Sequence, residues 1–235
     1  MPPDSSSLTA EGVWWRYRRG PWVLREVALT VAPGGLLRVR GGNGRGKSTL
    51  LALLAGVLDA PRGSVRIPGR AAYLPQLARD LPPVAAGRLL TLLSGRNRPD
   101  DDALVGHAGT RADQLSAGTA RRFLLEAVLA LPARVVVLDE PSAGLDAAAV
   151  GRLTGVLSRR LADGGIVVLA EHLPLPLAGG EVLDLGGGAV EERVRITLSG
   201  EGRTEVVTVP PEQRDALLRD ALDRGWSVLA VEPGR

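Results

Sequence analysis

The sequence predicts an α/β fold: a parallel sheet with helices on its faces, an antiparallel β-rich start and a small ββαβ extension at the C-terminal end. Three observations carry this. From Leu36 to Ala170 short apolar runs alternate with Leu- and Ala-rich helical stretches. Gly and Pro punctuate the junctions between them. Near residue 191 the pattern changes to the two-residue alternation of Val194 to Ser199. At 235 residues, 45% hydrophobic and 23% charged, the chain suits one large domain with an appendage. Aromatics are only 3%, so the core must be aliphatic, and the absence of cysteine excludes disulfides, thiolate metal sites and cysteine nucleophiles. A net charge of +3 with mixed signs excludes a polyanion-binding protein by composition, so no nucleic-acid partner is expected.

Residues 1–7 lack the basic and apolar regions of a signal peptide and read as a disordered tail. Strands follow over Val13–Tyr17, Val27–Val31 and Leu36–Val39, and a glycine cluster comes directly after the third. Ser48–Leu58 reads as a helix ended by Asp59 and Pro61. Short strands at Ser64–Ile67 and Ala71–Leu74 precede Pro75 and Gln76, and residues 83–113 carry Leu-rich helical stretches with a loop at 94–102. A clear helix runs over Ala117–Leu131, then a buried strand over Val135–Leu138, a helix over Ala147–Leu161 and an apolar strand over Ile166–Ala170. The extension, 191–235, reads as strands at 194–199 and Thr204–Val209, a helix from Pro211 to Arg224 and a strand at Trp226–Val231. The longest charge-free stretches, Val27–Leu37 and Ser48–Leu58, fall well short of the about 20 residues a membrane-crossing helix needs. The chain is expected in the cytoplasm, without direct membrane insertion.

Lys47 is the one lysine among 29 basic residues, and its position explains it. Gly41, Gly42, Asn43, Gly44, Arg45, Gly46, Lys47 and Ser48 fit G-x-x-x-x-G-K-[ST] between a predicted strand and a predicted helix. The glycines let backbone N–H groups curl round a phosphate, and the helix N-terminus adds partial positive charge. Lys47 brings a compact ammonium to the β- and γ-phosphates where a planar guanidinium is too wide, and Ser48 can ligate Mg²⁺. Val135–Leu138 ends in Asp139 and Glu140, at the strand end where α/β sheets place ligands. Two acids ending a strand carry no function alone. Beside a phosphate loop, Asp139 suits the Mg²⁺ shell and Glu140 suits polarising an attacking water.

From about residue 8 to 190 the chain resembles the nucleotide-binding subunit of ATP-binding cassette (ABC) proteins, a P-loop NTPase fold. Gly41 to Thr49 matches the family's extended phosphate loop, Asn43 and Thr49 included. Gln76 stands where the family's Q-loop glutamine reaches the metal. Leu115, Ser116, Ala117, Gly118 and Thr119 match the signature, usually Leu-Ser-Gly-Gly-Gln, opening a helix that carries Arg121 and Arg122. Asp146 looks like the D-loop aspartate, His172 like the switch histidine, and Tyr17 like the aromatic that stacks on adenine. The resemblance implies an N-terminal antiparallel β subdomain, a short helical subdomain at about 77–130, and bound ATP and Mg²⁺. It also implies head-to-tail dimers with each ATP between one phosphate loop and the partner's signature.

Three departures stand out: Ala117 for the first signature glycine, Thr119 for the glutamine, and a short segment between Gln76 and the signature. Ser116 and Gly118 remain, so a hydrolytic site is expected. One cassette without spans or long insertions implies the energising subunit of a transporter, paired with a second cassette (the same chain or a paralogue) and a multi-span permease. It would then lie peripherally at the inner face of the cell membrane. The alternatives are a soluble ABC ATPase, which usually adds coiled-coil arms, zinc cysteines or a second cassette, and the haem-export ATPase of cytochrome c maturation. Export of a hydrophobic or drug-like compound is the expected direction.

Overall fold

Alternation within short apolar runs gives the central strands two buried faces, and the rest of the chain is arranged round that sheet. The computed structural model describes residues 6–76, 81–96, 99–171, 174–186, 194–200, 203–209 and 211–233. The chain forms two compact units, Met1–Leu185 and Gly186–Arg235.

The first unit opens with strands β1 (Leu8–Arg16), β2 (Trp22–Val31) and β3 (Leu36–Arg40) and helix α1 (Lys47–Leu54), followed by β4 (Arg62–Arg66) and β5 (Ala71–Leu74). Then come α2 (Ala86–Ser94), α3 (Asp102–Val105), α4 (Ala117–Ala130), β6 (Val135–Asp139), α5 (Ala147–Ala162), β7 (Ile166–Ala170) and β8 (Glu181–Asp184). Strands β2-β1-β4 form an antiparallel sheet, and β5-β6-β7-β3-β8 form a parallel one. All five residues of β6 and of β7 are buried, as strands covered on both faces require. Val135, Val137, Ile166 and Val168 point to one side, where α1 and the antiparallel sheet meet them through Leu50, Leu51, Leu53, Leu54, Leu8, Val13 and Trp15. Val136, Leu138, Val167 and Leu169 point to the other, against Leu125 and Val128 of α4 and Leu153 and Leu157 of α5. Each such aliphatic side chain contributes about 1.5–3 kcal/mol on burial, and this two-sided core holds the sheet's C-terminal ends in place. A smaller core of Ala86, Leu90, Leu104, Phe123 and Ala127 joins α2 and α3 to α4.

The second unit comprises β9 (Val194–Gly200), β10 (Arg203–Val209), α6 (Pro211–Asp223) and β11 (Ser227–Pro233), with sheet order β10-β9-β11. Its core is small: Ile196, Leu198 and Ala221, with Val207, Val209, Leu217, Leu218, Trp226 and Val228 packed around them. This is the expected ββαβ arrangement.

Several local expectations differ from the structure, β2 among them: it begins at Trp22, five residues before the predicted Val27. β1 begins at Leu8, not Val13, because Gly12 at φ 56° and a register shift between Ala10 and Val13 break the alternation that marks a strand. Ser7, expected in the tail, is buried, while residues 1–5 lie outside the described residues. Helix α1 ends at Leu54 rather than Leu58, because Gly56 takes φ 72° and the amides of Val57 and Leu58 turn back to the carbonyl of Ala52. β8 carries too little apolar alternation to be read as a strand, yet it pairs with β3 at the sheet edge.

Candidate functional site

The phosphate loop leaves β3 and turns into α1. Gly46 caps α1 in the left-handed region at φ 92°, and a Cβ there would lie 2.9 Å from Val23 Cγ1 and Leu24 Cδ2. Glycine is therefore required at this position twice over, by backbone conformation and by space. The Lys47 ammonium donates to the carbonyls of Gly41 at 2.7 Å and Gly42 at 3.1 Å, so it lies folded across the loop.

An open cleft of about 430 Å³ is lined by Tyr17, Val23, Asn43, Gly44, Gly46, Lys47, Ser48, Thr49, Gln76, Asp139 and Glu140. Residues from five separate stretches of sequence thus share one wall set: the residue after β1, the start of β2, the phosphate loop with the start of α1, the residues after β5 and the end of β6. Tyr17 is 63% exposed, stands edge-on to Trp15 with ring centres 4.3 Å apart, and its hydroxyl is 3.3 Å from Thr49 Oγ1. A ring fixed at its base and open on its face is suited to stacking. Gly41, Gly42 and Arg45 do not line the cleft; the two glycines instead supply the carbonyls that hold Lys47.

Asp139 is 1% exposed. Burial pushes its carboxyl above the usual carboxylate range, and Glu140 adds to this, while the Ser48 hydroxyl bonded to it, Arg121 and Lys47 act in the opposite direction. Its Oδ2 has no hydrogen-bond partner among the described residues. A buried carboxylate oxygen left over beside a serine hydroxyl fits a divalent cation. No group of three or more His, Asp or Glu among the described residues could hold a metal by itself, so other ligands would come from the nucleotide and water. Nearby, burial and the Asp139 charge push the Tyr73 hydroxyl up to about 12, which keeps it neutral.

Glu140 sits at φ 51°, in the left-handed region that side-chain-bearing residues rarely adopt. Its N–H extends the β6–β7 ladder by donating to Ala170 at 2.7 Å, and the turn after it closes by Ala143 N–H to Glu140 carbonyl at 3.2 Å. The chain therefore bends sharply at Glu140 instead of continuing the strand.

The sequence marked Arg121 only as a passenger on the signature helix. In the structure its guanidinium reaches from α4 to four carbonyls: Pro75 at 2.9 Å, Glu140 at 2.8 Å, and those of Gln76 and Asp139. Burial lowers its pKa, opposed by Asp139 and Glu140, and its Nε has no partner among the described residues. The only cue in the sequence is the adjacent pair Arg121-Arg122 just after the signature. Arg122 pairs instead with Asp101 at 2.6 Å and Asp146 at 3.1 Å.

The signature lies outside this cleft. Ser116 caps α4, its Oγ accepting from Thr119 N–H at 3.2 Å and lying 2.8 Å from Thr119 Oγ1. Ala117 is the first helical residue and takes no positive φ, so replacing a glycine there imposes no backbone strain. Gly118 is open, with no atom within 4 Å of where a Cβ would stand. Asp146 caps α5 by accepting from Ala149 N–H at 2.8 Å, and that bond followed by Arg122 lowers its pKa. His172 lies outside the described residues.

Known proteins resemble this chain in sequence and in fold. The family model described as ABC transporter matches residues 24–84. The chain is 37% identical to the cytochrome c biogenesis ATP-binding export protein CcmA of Bordetella parapertussis over 171 residues, 63% of this chain and 76% of that one. It is 36% identical to the protein of the same name from Cereibacter sphaeroides over 176 residues, 72% of this chain and 84% of that one. Among solved structures, the ATP-binding subunit of an ABC transporter matches with a TM-score of 0.65 at 21% identity, covering 92% of this chain and 96% of that one. A dimeric bacterial ABC transporter cassette matches with a TM-score of 0.65 at 20% identity, covering 85% and 98%. At these identities the two structures speak for the fold, and the relatives speak for the family. With the phosphate loop facing the Asp139–Glu140 pair across one cleft, the chain belongs to the ATP-binding, ATP-hydrolysing subunits of ABC transporters.

Proposed function

We propose that this chain is one half of a head-to-tail pair of cassettes that sandwiches two ATP molecules and drives export through a membrane permease. The observation that carries the reading is the cleft itself, half a site: it holds the phosphate loop, Ser48, Asp139 and Glu140, but not Leu115–Thr119. A second cassette completes it by bringing Ser116, Gly118 and the N–H groups that open its α4 to the γ-phosphate, an anion at a helix N-terminus.

The phosphates lie along the loop backbone from Gly41 to Ser48, and the adenine lies against Tyr17. Lys47, released from the Gly41 and Gly42 carbonyls, turns its ammonium to the β- and γ-phosphates. Asp139, Ser48 and Gln76 would hold Mg²⁺, which would offset charge on the phosphate oxygens. Glu140 accepts a proton from a water that attacks the γ-phosphorus; the bond to the bridging oxygen breaks, and ADP and phosphate leave. His172 donates to the γ-phosphate. The bend at Glu140 is suited to this role, since it turns the carboxylate towards the cleft rather than along the sheet.

No helix among the described residues is long and apolar enough to cross a membrane, which supports a separate permease chain and a place for this subunit at the cytoplasmic face. Export is favoured because the similar proteins of two organisms are named as export proteins. Those names speak of cytochrome c biogenesis, and together with the haem-export resemblance of the sequence they favour a second reading for cargo, a haem-type substrate, over a hydrophobic or drug-like compound. Purification of the tagged chain from its own membranes tests the assembly: a multi-span membrane protein should co-purify. In parallel, ATP should convert the Glu140→Gln protein from monomer to dimer in light scattering. A Glu140→Gln protein that stays monomeric with ATP, and brings down no membrane protein, would refute the pairing.

A further inference from the structure

Between α4 and α5, beside Asp101, lies a recessed cavity of about 410 Å³, and no described residue lines both it and the nucleotide cleft. Its floor is apolar: Leu125 and Leu129, one turn apart on α4, and Leu153 and Val156 of α5. A recess of this size, with an apolar floor and a few polar groups at its edge, has the form of a small-molecule site.

Two glycines make the room. Gly151 and Gly155 stand one turn apart on α5, and both line the cavity. Neither takes a positive φ. Apart from the helix's own backbone, a Cβ on Gly151 would have no atom within 4 Å, and one on Gly155 would meet only Arg159 Nη1, at 4.0 Å. Neither handedness nor close packing demands glycine at these two positions, although glycine inside a helix weakens it. What the missing side chains leave is space.

The charges at the mouth are committed, with one exception. Asp101 holds Arg122 at 2.6 Å and Arg152 at 2.8 Å, and Asp100 pairs with Arg96. Glu126 accepts from Asp100 N–H at 3.2 Å. Burial, helped by Asp100 and Asp101, holds its carboxyl above the usual carboxylate range, against that bond and Arg96. Of the four arginines that line the cavity, Arg159 alone pairs with no acid among the described residues. It follows Gly151 and Gly155 at helical spacing, and its guanidinium lies over Gly155. The uncommitted cation therefore stands at the glycine wall of the recess.

We propose that this cavity binds a small amphipathic carboxylate, its hydrocarbon body against Leu125, Leu129, Leu153 and Val156 and its charged end on Arg159. A guanidinium matches a carboxylate through two parallel hydrogen bonds. One negative charge also answers the one uncommitted cation, whereas a doubly charged phosphate would bring repulsion with Glu126. The site stands apart from the nucleotide cleft, and the inference does not depend on the ATPase reading.

Calorimetric titration of the full chain with decanoate, octanoate and uncharged 1-octanol tests this. Decanoate should bind at one site, about tenfold tighter than octanoate, because two more methylenes are buried. Octanoate should bind about 3- to 10-fold tighter than 1-octanol, and Arg159→Gln should remove that advantage while leaving 1-octanol unaffected. Gly155→Leu should abolish binding of all three by filling the recess, with a melting temperature at or above that of wild type, since leucine favours the helix. Arg159 is exposed, so Arg159→Gln decides the question even if Gly155→Leu fails to fold. No saturable binding of decanoate up to about 1 mM overturns the proposal. Binding that survives in a folded Gly155→Leu protein overturns it too, and so does an Arg159→Gln protein that binds octanoate as tightly as wild type or loses 1-octanol equally.

Discussion

Lys47, Asp139 and Glu140 each occupy a place that a stability criterion alone would fill otherwise. The Lys47 ammonium is shared by two backbone carbonyls, and turning it to phosphate replaces weak partners with strong ones. Charge-assisted bonds contribute about 1.5–3 kcal/mol, so Lys47→Ala should weaken ATP binding roughly 10- to 100-fold, measured by titration of a fluorescent nucleotide. Glu140→Gln keeps the shape and loses the proposed proton acceptor; kcat should fall about 10²- to 10⁴-fold with ATP affinity retained. Asp139 differs because its folded-state carboxyl lies above its unfolded value. Stability from a group shifted in that direction is fully present below the unfolded carboxyl value and is lost as pH rises through the folded one. Above its folded-state pKa the ionised Asp139 thus costs stability, and there Asp139→Asn should raise the nucleotide-free unfolding free energy by on the order of 1 kcal/mol. That gain should shrink as pH falls towards the ordinary carboxylate range, while Mg²⁺-dependent hydrolysis is lost throughout. Calorimetry across pH checks the sign. The chemical identities of these three residues were legible in the sequence, because the motif demands particular side chains at fixed spacing. The bend at Glu140 was not, since φ 51° at a glutamate is imposed by the ladder bond to Ala170 and the turn after it.

Among elements, α4 carries more than its signature. Its N-terminus presents Ser116 outward, while one turn on Arg121 grips the carbonyls after β5 and β6. A shift of α4 therefore moves Gln76, Asp139 and Glu140 together, which ties the signature to the residues proposed as cation ligands and water acceptor. Arg121→Ala should destabilise the protein by about 3 kcal/mol, through stranded carbonyls rather than a lost ion pair. Arg121→Lys should recover only part of that, since an ammonium cannot span four acceptors; chemical denaturation distinguishes the two. Sequence could place α4 and α5, whose apolar faces recur with helical spacing. It could not assign the arginines, because Arg121 and Arg122 are identical and adjacent, and only the helix's rotation sends one to carbonyls and the other to Asp101 and Asp146. The early end of α1 and the strand β8 were similarly hidden. One depends on a glycine's handedness, and the other on an edge position that needs no apolar pattern.

At the scale of the molecule, the chain joins a deep two-sided core to a unit with a much thinner one. Among the described residues of the second unit, only Ile196, Leu198 and Ala221 are buried hydrophobics. A core of that size is marginal on its own. A chain ending after Leu185 should therefore retain ATP binding within a factor of about three, whereas 186–235 expressed alone should give an unprotected amide-exchange pattern. Parity of ATP binding between the full chain and the shortened one checks the first expectation. The class and order of both units were legible because patterning decides them. The division between Leu185 and Gly186 was not, because glycine-rich junctions look alike until contacts are known.

The cradle round Lys47 has a practical corollary for handling the protein. The chain holds a single side-chain amine, and that amine sits in the phosphate loop. Amine-reactive resins and sensor chips that capture this protein through a side chain would therefore capture it by its nucleotide site and present an immobilised subunit that cannot bind ATP. Coupling in the presence of ATP, or through the abundant carboxylates instead, would leave the loop free.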